Sequence, residues 1–130
     1  MRYALCLLLF AGVGFCFSGS DTNPYLKLSE FRGNSKVQLV ARNTSGRPLV
    51  AFVVAAVHRK TAQEDNTSVY SAVYSGKDNL ASGKSINVGE WDTHEPPPNV
   101  FVDYVRLADG TTWGNCVTEQ GKEIAARFKN

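Results

Sequence analysis

The sequence predicts an all-β sandwich of six or seven mainly antiparallel strands, followed by one C-terminal helix. Short segments in which apolar and polar residues alternate recur along the chain. Turn-forming residues separate these segments about every ten residues, which is typical of a β-sandwich. Only the last segment changes to helical spacing. A small barrel is the alternative arrangement for the same strands.

The first 20 residues have the layout of a secretory signal peptide. Arg2 precedes an apolar run, and small residues follow that run up to Ser20. We expect cleavage near Ser20, one mature domain over residues 21–130, and a secreted or periplasmic location. The run is shorter than the roughly 20 residues that span a bilayer, so we expect no integral membrane span after cleavage. An uncleaved anchor is the alternative.

Charge and cysteine content exclude several classes of protein. The chain has 14 Lys and Arg against 12 Asp and Glu; without Arg2 the balance is 13 against 12, a net charge of +1. This balance predicts no attraction to nucleic acid or anionic lipid. Cys6 and Cys16 leave with the signal peptide, so Cys116 cannot close an internal disulfide. We expect Cys116 to be buried.

Four strands are predicted in the first half of the domain. They cover residues 25–30, 36–42, 49–57 and 69–74. The segment LVAFVVAAV at residues 49–57 is nine apolar residues long and rich in valine, which favours a central strand buried on both faces. A polar loop is expected at residues 61–68.

The second half predicts a short strand at residues 85–88 and a clear strand at residues 100–107. Between them, GEWDTHEPPPNV contains three prolines, which cannot donate ladder hydrogen bonds, so residues 89–99 are predicted to be a crossover between sheets. The Asp-Gly pair after residue 107 indicates a hairpin, from which TTWGN returns. Apolar residues then recur at helical spacing, which predicts a terminal helix at residues 117–128 lying on the sheet.

Two segments together resemble immunoglobulin-like modules of exported bacterial proteins, including FxLYD domains. LVARNTSGRPLVAFVVAAVHR has a strand ending in Asn and small polar residues before a long apolar strand, and LASGKSINV is similar to the later turn and strand. The resemblance covers about residues 36–107. HRKTAQED stands where the FxLYD signature would be, so that signature is absent. The resemblance implies an immunoglobulin-like fold and a binding or assembly module without catalytic residues or cofactors.

The loop before the prolines is the best candidate for a binding surface, because loops on a rigid sandwich commonly carry function. Trp91 lies among charged residues, which suggests a partly exposed anchor for a partner or, alternatively, a lid over the sandwich end. The candidate partner-binding residues are Trp91, His94, Pro96, Pro97 and Pro98. We expect the partner to be a protein or a cell-envelope component.

The alternative function is metal binding or metal-dependent catalysis by the 90–95 loop. Asp92, His94 and Glu95 lie within four residues, and His58 could join them if its strand ends nearby. The chain has no HExxH motif and only two histidines. Nucleophilic catalysis would require Cys116 with a histidine, but its nearest charged neighbours along the chain are acids, which disfavour a thiolate. The sequence therefore predicts a non-catalytic protein.

Overall fold

The computed structural model describes residues 23–59 and 65–128, so the predicted signal peptide lies outside the described residues. The described chain forms seven strands and one helix. They are β1 (Leu26–Arg32), β2 (Lys36–Asn43), β3 (Leu49–Arg59), β4 (Asp65–Val73), β5 (Ser85–Asp92), β6 (Asn99–Leu107), β7 (Thr112–Trp113) and α1 (Glu119–Arg127). Within these ranges no helix is long and apolar enough to cross a membrane.

The strands form two sheets, and each pair of neighbouring strands is antiparallel. One sheet has the order β1-β2-β5 and the other the order β4-β3-β6-β7. The predicted all-β sandwich with a C-terminal helix is confirmed. The predicted end of the fifth strand at residue 88 is wrong, because the strand continues to Asp92 and the connection from β5 to β6 is limited to residues 93–98. The prolines begin at Pro96 and therefore leave the strand hydrogen bonds before that point intact.

The main core lies between the two sheets. Both sheets contribute apolar side chains to one cluster, which contains Leu26, Val37, Leu39, Ala41, Leu49, Phe52, Val54, Leu80, Val88, Trp91, Val102, Val105 and Leu107. The alternation in β2 follows from this packing, since Val37, Leu39 and Ala41 are buried while Gln38 is exposed. Burial of this apolar surface is the main stabilising contribution to a domain of this size.

Strand β3 is buried on both faces, as the sequence predicts. Phe52 and Val54 belong to the core between the sheets. On the opposite face, Ala51 and Val53 pack with Tyr104 of β6 and Ile124 of α1 in a second cluster. The helix thus covers the outer face of the four-stranded sheet, and this explains why the apolar run in β3 has no polar alternation.

A β-bulge in β6 directs an acidic side chain to the helix. Val53 pairs with Tyr104 and Val54 pairs with Val102, so Asp103 is the extra residue on β6. Asp103 is 1% exposed. Its Oδ1 accepts the Val117 N–H at 2.8 Å, and its Oδ2 accepts the Thr118 N–H at 3.0 Å and the Thr118 hydroxyl at 2.6 Å. The carboxylate therefore joins the sheet directly to the start of α1.

The first turn of α1 is built around the same carboxylate. Thr118 is the N-cap, and its Oγ1 accepts the Gly121 N–H at 2.9 Å. A Cβ at position 121 would collide with Oδ2 of Asp103, so glycine is required there although it weakens a helix. The helix is shorter than predicted, Glu119–Arg127 rather than 117–128, because Val117 and Thr118 bind Asp103 instead of continuing the helix. Cys116, expected to be buried, is half-buried, with a φ of 53°.

A second buried polar residue, Asn43, closes one end of the sandwich. Its Nδ2 donates to the carbonyl oxygens of Arg47 at 2.7 Å and Leu80 at 2.8 Å. Its Oδ1 accepts the N–H of Ser45 at 2.9 Å and the Ser45 hydroxyl at 2.7 Å. Asn43 thus fixes both the loop between β2 and β3 and the turn before β5, and these are the two segments on which the family resemblance rests.

We expect Val53→Asp to prevent folding. The substitution places an unpaired carboxylate between β3 and α1, where it cannot be hydrated, and domains of this size have only about 5–15 kcal/mol of stability. Arg42→Asp is the control, because Arg42 is exposed on β2, and it should change the free energy of unfolding by about 0.5 kcal/mol or less. Urea denaturation followed by circular dichroism measures both variants, and a near-native midpoint for Val53→Asp would contradict the double burial of β3.

Asp103→Asn should destabilise the domain by about 2–3 kcal/mol, because hydrogen bonds to a charged acceptor are lost and an amide nitrogen must face backbone donors. The variant keeps the size of the side chain, so the loss reports on charge rather than on a cavity. Thr118→Ser is the matched control, since it keeps the hydroxyl that caps the helix, and it should cost much less. Equal stability of the Asp103→Asn variant and the wild type in urea denaturation would show that the carboxylate does not hold the helix.

Candidate functional site

An open cleft lies at the side of the sandwich where edge strands β4 and β5 face each other. Its volume is about 620 Å³, and we call it the edge cleft. Residues of β2, β3, β4, β5 and the loop after β5 line it: Lys36, His58, Arg59, Asn66, Ser68, Tyr70, Glu90, Trp91, Asp92, Glu95 and Pro96. The edge cleft contains much of the segment that the sequence indicates as a binding surface.

Trp91 lies at the inner side of the edge cleft and is only 4% exposed. Its strand pairs with β2, with Trp91 opposite Val37, and the indole belongs to the core between the sheets. The His58 ring contacts Trp91 edge-on, with 6.1 Å between the ring centroids. The expectation of a partly exposed Trp91 is therefore wrong, and its position agrees with the alternative of a lid over the core.

A second β-bulge shapes the opposite wall of the edge cleft. Leu39 pairs with Gly89 and Val40 pairs with Asn87, so Val88 is the extra residue on β5. The Tyr70 ring of β4 lies directly over Gly89, where any Cβ would collide with it. Glycine at position 89 therefore lets the tyrosine of one sheet reach the edge strand of the other.

The loop after β5 is held by its own polar groups. The His94 N–H donates to Oδ1 of Asp92 at 2.8 Å, and the Glu95 N–H donates to the Asp92 carbonyl oxygen at 3.1 Å. Nδ1 of His94 lies 3.0 Å from the same Oδ1. The Thr93 N–H reaches the carbonyl oxygen of Ser35 at 3.0 Å, which ties the loop to the turn between β1 and β2. The segment is a fixed turn rather than a loose connection.

The predicted site residues divide into two groups. Trp91, Asp92, Glu95, Pro96 and His58 line the edge cleft together. His94 does not line it, and its side chain is 85% exposed beside Asp92. Pro97 is exposed outside the cleft, whereas Pro98 is buried and cannot contact a partner directly. Pro98, one of the candidate partner-binding residues, is therefore not available to a partner, because the chain turns back into β6 there.

Sequence reasoning missed the residues that neighbouring strands bring to the site. Lys36 pairs with Asp92 across β2 and β5, and Asn66 pairs with His58 across β3 and β4. Their separation along the chain gives no sign of proximity. Only the strand registers place them together, and the β2–β5 register that brings Lys36 to Asp92 depends on the bulge in β5.

The edge cleft carries charges of both signs. Glu90, Asp92 and Glu95 line it together with Lys36 and Arg59. The His94 backbone N–H, and after it the His94 side chain, hold the pKa of Asp92 below its ordinary value of 3.8. Among residues 23–59 and 65–128, no three His, Cys, Asp or Glu side chains converge to hold a metal ion.

Comparison with known proteins gives no relative for this chain: no protein-family model, no curated protein and no solved structure matches it. The assignment to the all-β sandwich class therefore depends on the strand pairing itself. The resemblance to FxLYD-like modules stays a prediction.

We expect His94→Ala to raise the pKa of Asp92 only part of the way towards 3.8, because the backbone N–H at position 94 remains. A lowered carboxyl pKa contributes stability above the ordinary value, and that contribution is lost as the pH falls through the folded-state pKa. The variant should lose this contribution at a slightly higher pH. Carboxyl-carbon NMR titration measures the shift. Lys36→Ala, which removes the weakest of the stabilising causes, is the control and should move the pKa less.

Proposed function

We propose that the chain is an exported, non-catalytic binding module with an immunoglobulin-like fold, and that it engages a protein or cell-envelope partner through the edge cleft. The observation that carries the proposal is the edge cleft itself. It combines aromatic rings, hydroxyl and amide groups and charges of both signs in one concave surface. Binding sites commonly combine an apolar part with a few polar groups that fix orientation.

The strand arrangement supports the immunoglobulin-like part of the proposal. Immunoglobulin constant-type sandwiches place the first, second, fifth and fourth strands in one sheet and the third, sixth and seventh in the other. The described strands have this division except for β4, which pairs with β3 in the second sheet instead of with β5 in the first. An exported location agrees with the signal-like first 20 residues and needs no disulfide.

The rigidity of the walls favours recognition of a preformed shape. Four of the elements that line the edge cleft are strands, and the fifth is the turn anchored by Asp92. Protein side chains held on such elements lose little conformational entropy when a ligand binds. Glu90, Asp92 and Glu95 supply acceptors for a basic side chain of the partner, and Lys36 and Arg59 supply donors for an acidic one. A polypeptide segment of mixed charge fits this surface best.

A photo-reactive amino acid at Pro96, on the rim of the edge cleft, should capture a defined partner in the native host. The same amino acid at Arg42, exposed on β2 and outside the cleft, should give no such adduct. Glu90→Lys should abolish the adduct by reversing one rim charge. Gln38→Lys, the matched control, lies opposite Glu90 on β2 but does not line the cleft, so it should leave the adduct unchanged. Equal capture from positions 96 and 42, or an adduct that survives Glu90→Lys, would refute the proposed site.

A further inference from the structure

We propose that the free edge of β4 pairs with β4 of a second copy of the chain, so that two four-stranded sheets join into one continuous sheet in a symmetric dimer. The proposal concerns a surface separate from the floor of the edge cleft. It does not depend on the proposed function, because a dimer could form whether or not the cleft binds a partner.

The first argument compares the sheet edges that the described strands leave open, which are β1, β5, β4 and β7. Exposed edges in soluble proteins are normally protected by charges, bulges, prolines or short length. Strand β1 carries Lys27, Glu30 and Arg32, β5 has a bulge and two carboxylates, and β7 is only two residues long. Each of these three edges is protected.

Strand β4 carries one charged residue, Asp65, at its first position and none of these protections after it. It is nine residues long, and residues 66–73 include no charge, glycine or proline. Its pairing with β3 runs from Ala51↔Val73 to Arg59↔Asp65 without a register shift, so the strand has no bulge. Val73 is an exposed large apolar residue, 39% exposed. A long, regular and uncharged edge of this kind favours pairing with another strand.

The second argument is the direction of the backbone groups. The Tyr74 N–H donates to the Val50 carbonyl oxygen at 2.9 Å, in register with the β3–β4 ladder. In an antiparallel ladder the N–H and C=O of one residue point to the same side, and successive residues alternate. Even-numbered residues of β4 therefore bond β3, and odd-numbered residues direct both groups to the free edge. These residues are Asp65, Thr67, Val69, Ser71 and Val73.

The third argument is self-complementarity. A twofold axis at Val69 pairs all five outward-facing residues with a second antiparallel copy: Asp65 with Val73, Thr67 with Ser71, and Val69 with itself. Every other twofold register leaves some of the five unpaired. The central pairs, Thr67 with Ser71 and Val69 with itself, are β-branched or small hydroxyl residues, which pack well opposite one another. No like charges meet within residues 66–73, so a second copy is the partner that this edge fits.

Ser71→Pro tests the proposed pairing at its backbone. Proline removes an N–H that faces the free edge but none that bonds β3, so an edge strand should tolerate it whereas an internal strand cannot. We expect the wild-type full chain to have twice the protomer mass in sedimentation equilibrium, and Ser71→Pro to be a folded monomer. Ser71→Thr, which keeps the N–H, should remain a dimer. In the dimer, amide hydrogen exchange should be slowed at Thr67 and Val69 relative to the same positions in Ser71→Pro.

Two double variants test the register independently, in case Ser71→Pro fails to fold. Thr67→Lys with Ser71→Lys places like charges directly opposite across the two copies, whereas Thr67→Asp with Ser71→Lys places opposite charges there. The dissociation constant of the first should be roughly five-fold or more higher than that of the second. A wild-type monomer at every concentration, a dimer unaffected by a folded Ser71→Pro variant, or equal dissociation constants for the two double variants would overturn the proposal.

Discussion

The buried carboxylate of Asp103 is the contact on which the arrangement of the second sheet depends. It stands at a bulge in β6 and accepts three hydrogen bonds from Val117 and Thr118 at the start of α1. An acidic group is favoured at a helix N-terminus, where backbone N–H groups have no partner in the helix. The same contact explains why Gly121 occupies the first turn, since no larger residue leaves room for the carboxylate.

The position of α1 decides which parts of the four-stranded sheet are internal. With the helix in place, Val53 and Ala51 of β3 are completely buried, and Arg106 of β6 lies 4.5 Å from the centroid of the Phe128 ring. Strand β4 is only partly covered: Val69 packs against the cluster under the helix, whereas Val73 is exposed. The helix therefore protects the centre of the sheet and leaves its β4 edge open.

The sequence predicts the elements better than it predicts their contacts. Period-two alternation identifies β2, and the uninterrupted apolar run identifies β3, because both patterns follow directly from burial. The limit of β5 could not be predicted, and the sequence left the burial of Trp91 as one of two alternatives, since the charged residues around Trp91 suggest a loop. The bulges at Val88 and Asp103 could not be predicted from the sequence either, because a bulge is a change of register between two paired strands. Lys36 of β2 and Asn66 and Tyr70 of β4 are brought to the candidate site only by the way in which their strands pair with their neighbours.

The even-numbered and odd-numbered residues of β4 have different structural roles. The even-numbered residues Asn66, Ser68 and Tyr70 line the edge cleft, and their backbone groups form the hydrogen bonds to β3. The odd-numbered residues direct their backbone groups to the free edge, and the Val69 side chain packs in the cluster under α1. A strand added at that edge would lie next to the edge cleft without filling it. In the register centred on Val69, Tyr70 of the second copy would lie opposite Ser68, so pairing would extend the aromatic wall of the cleft rather than close it.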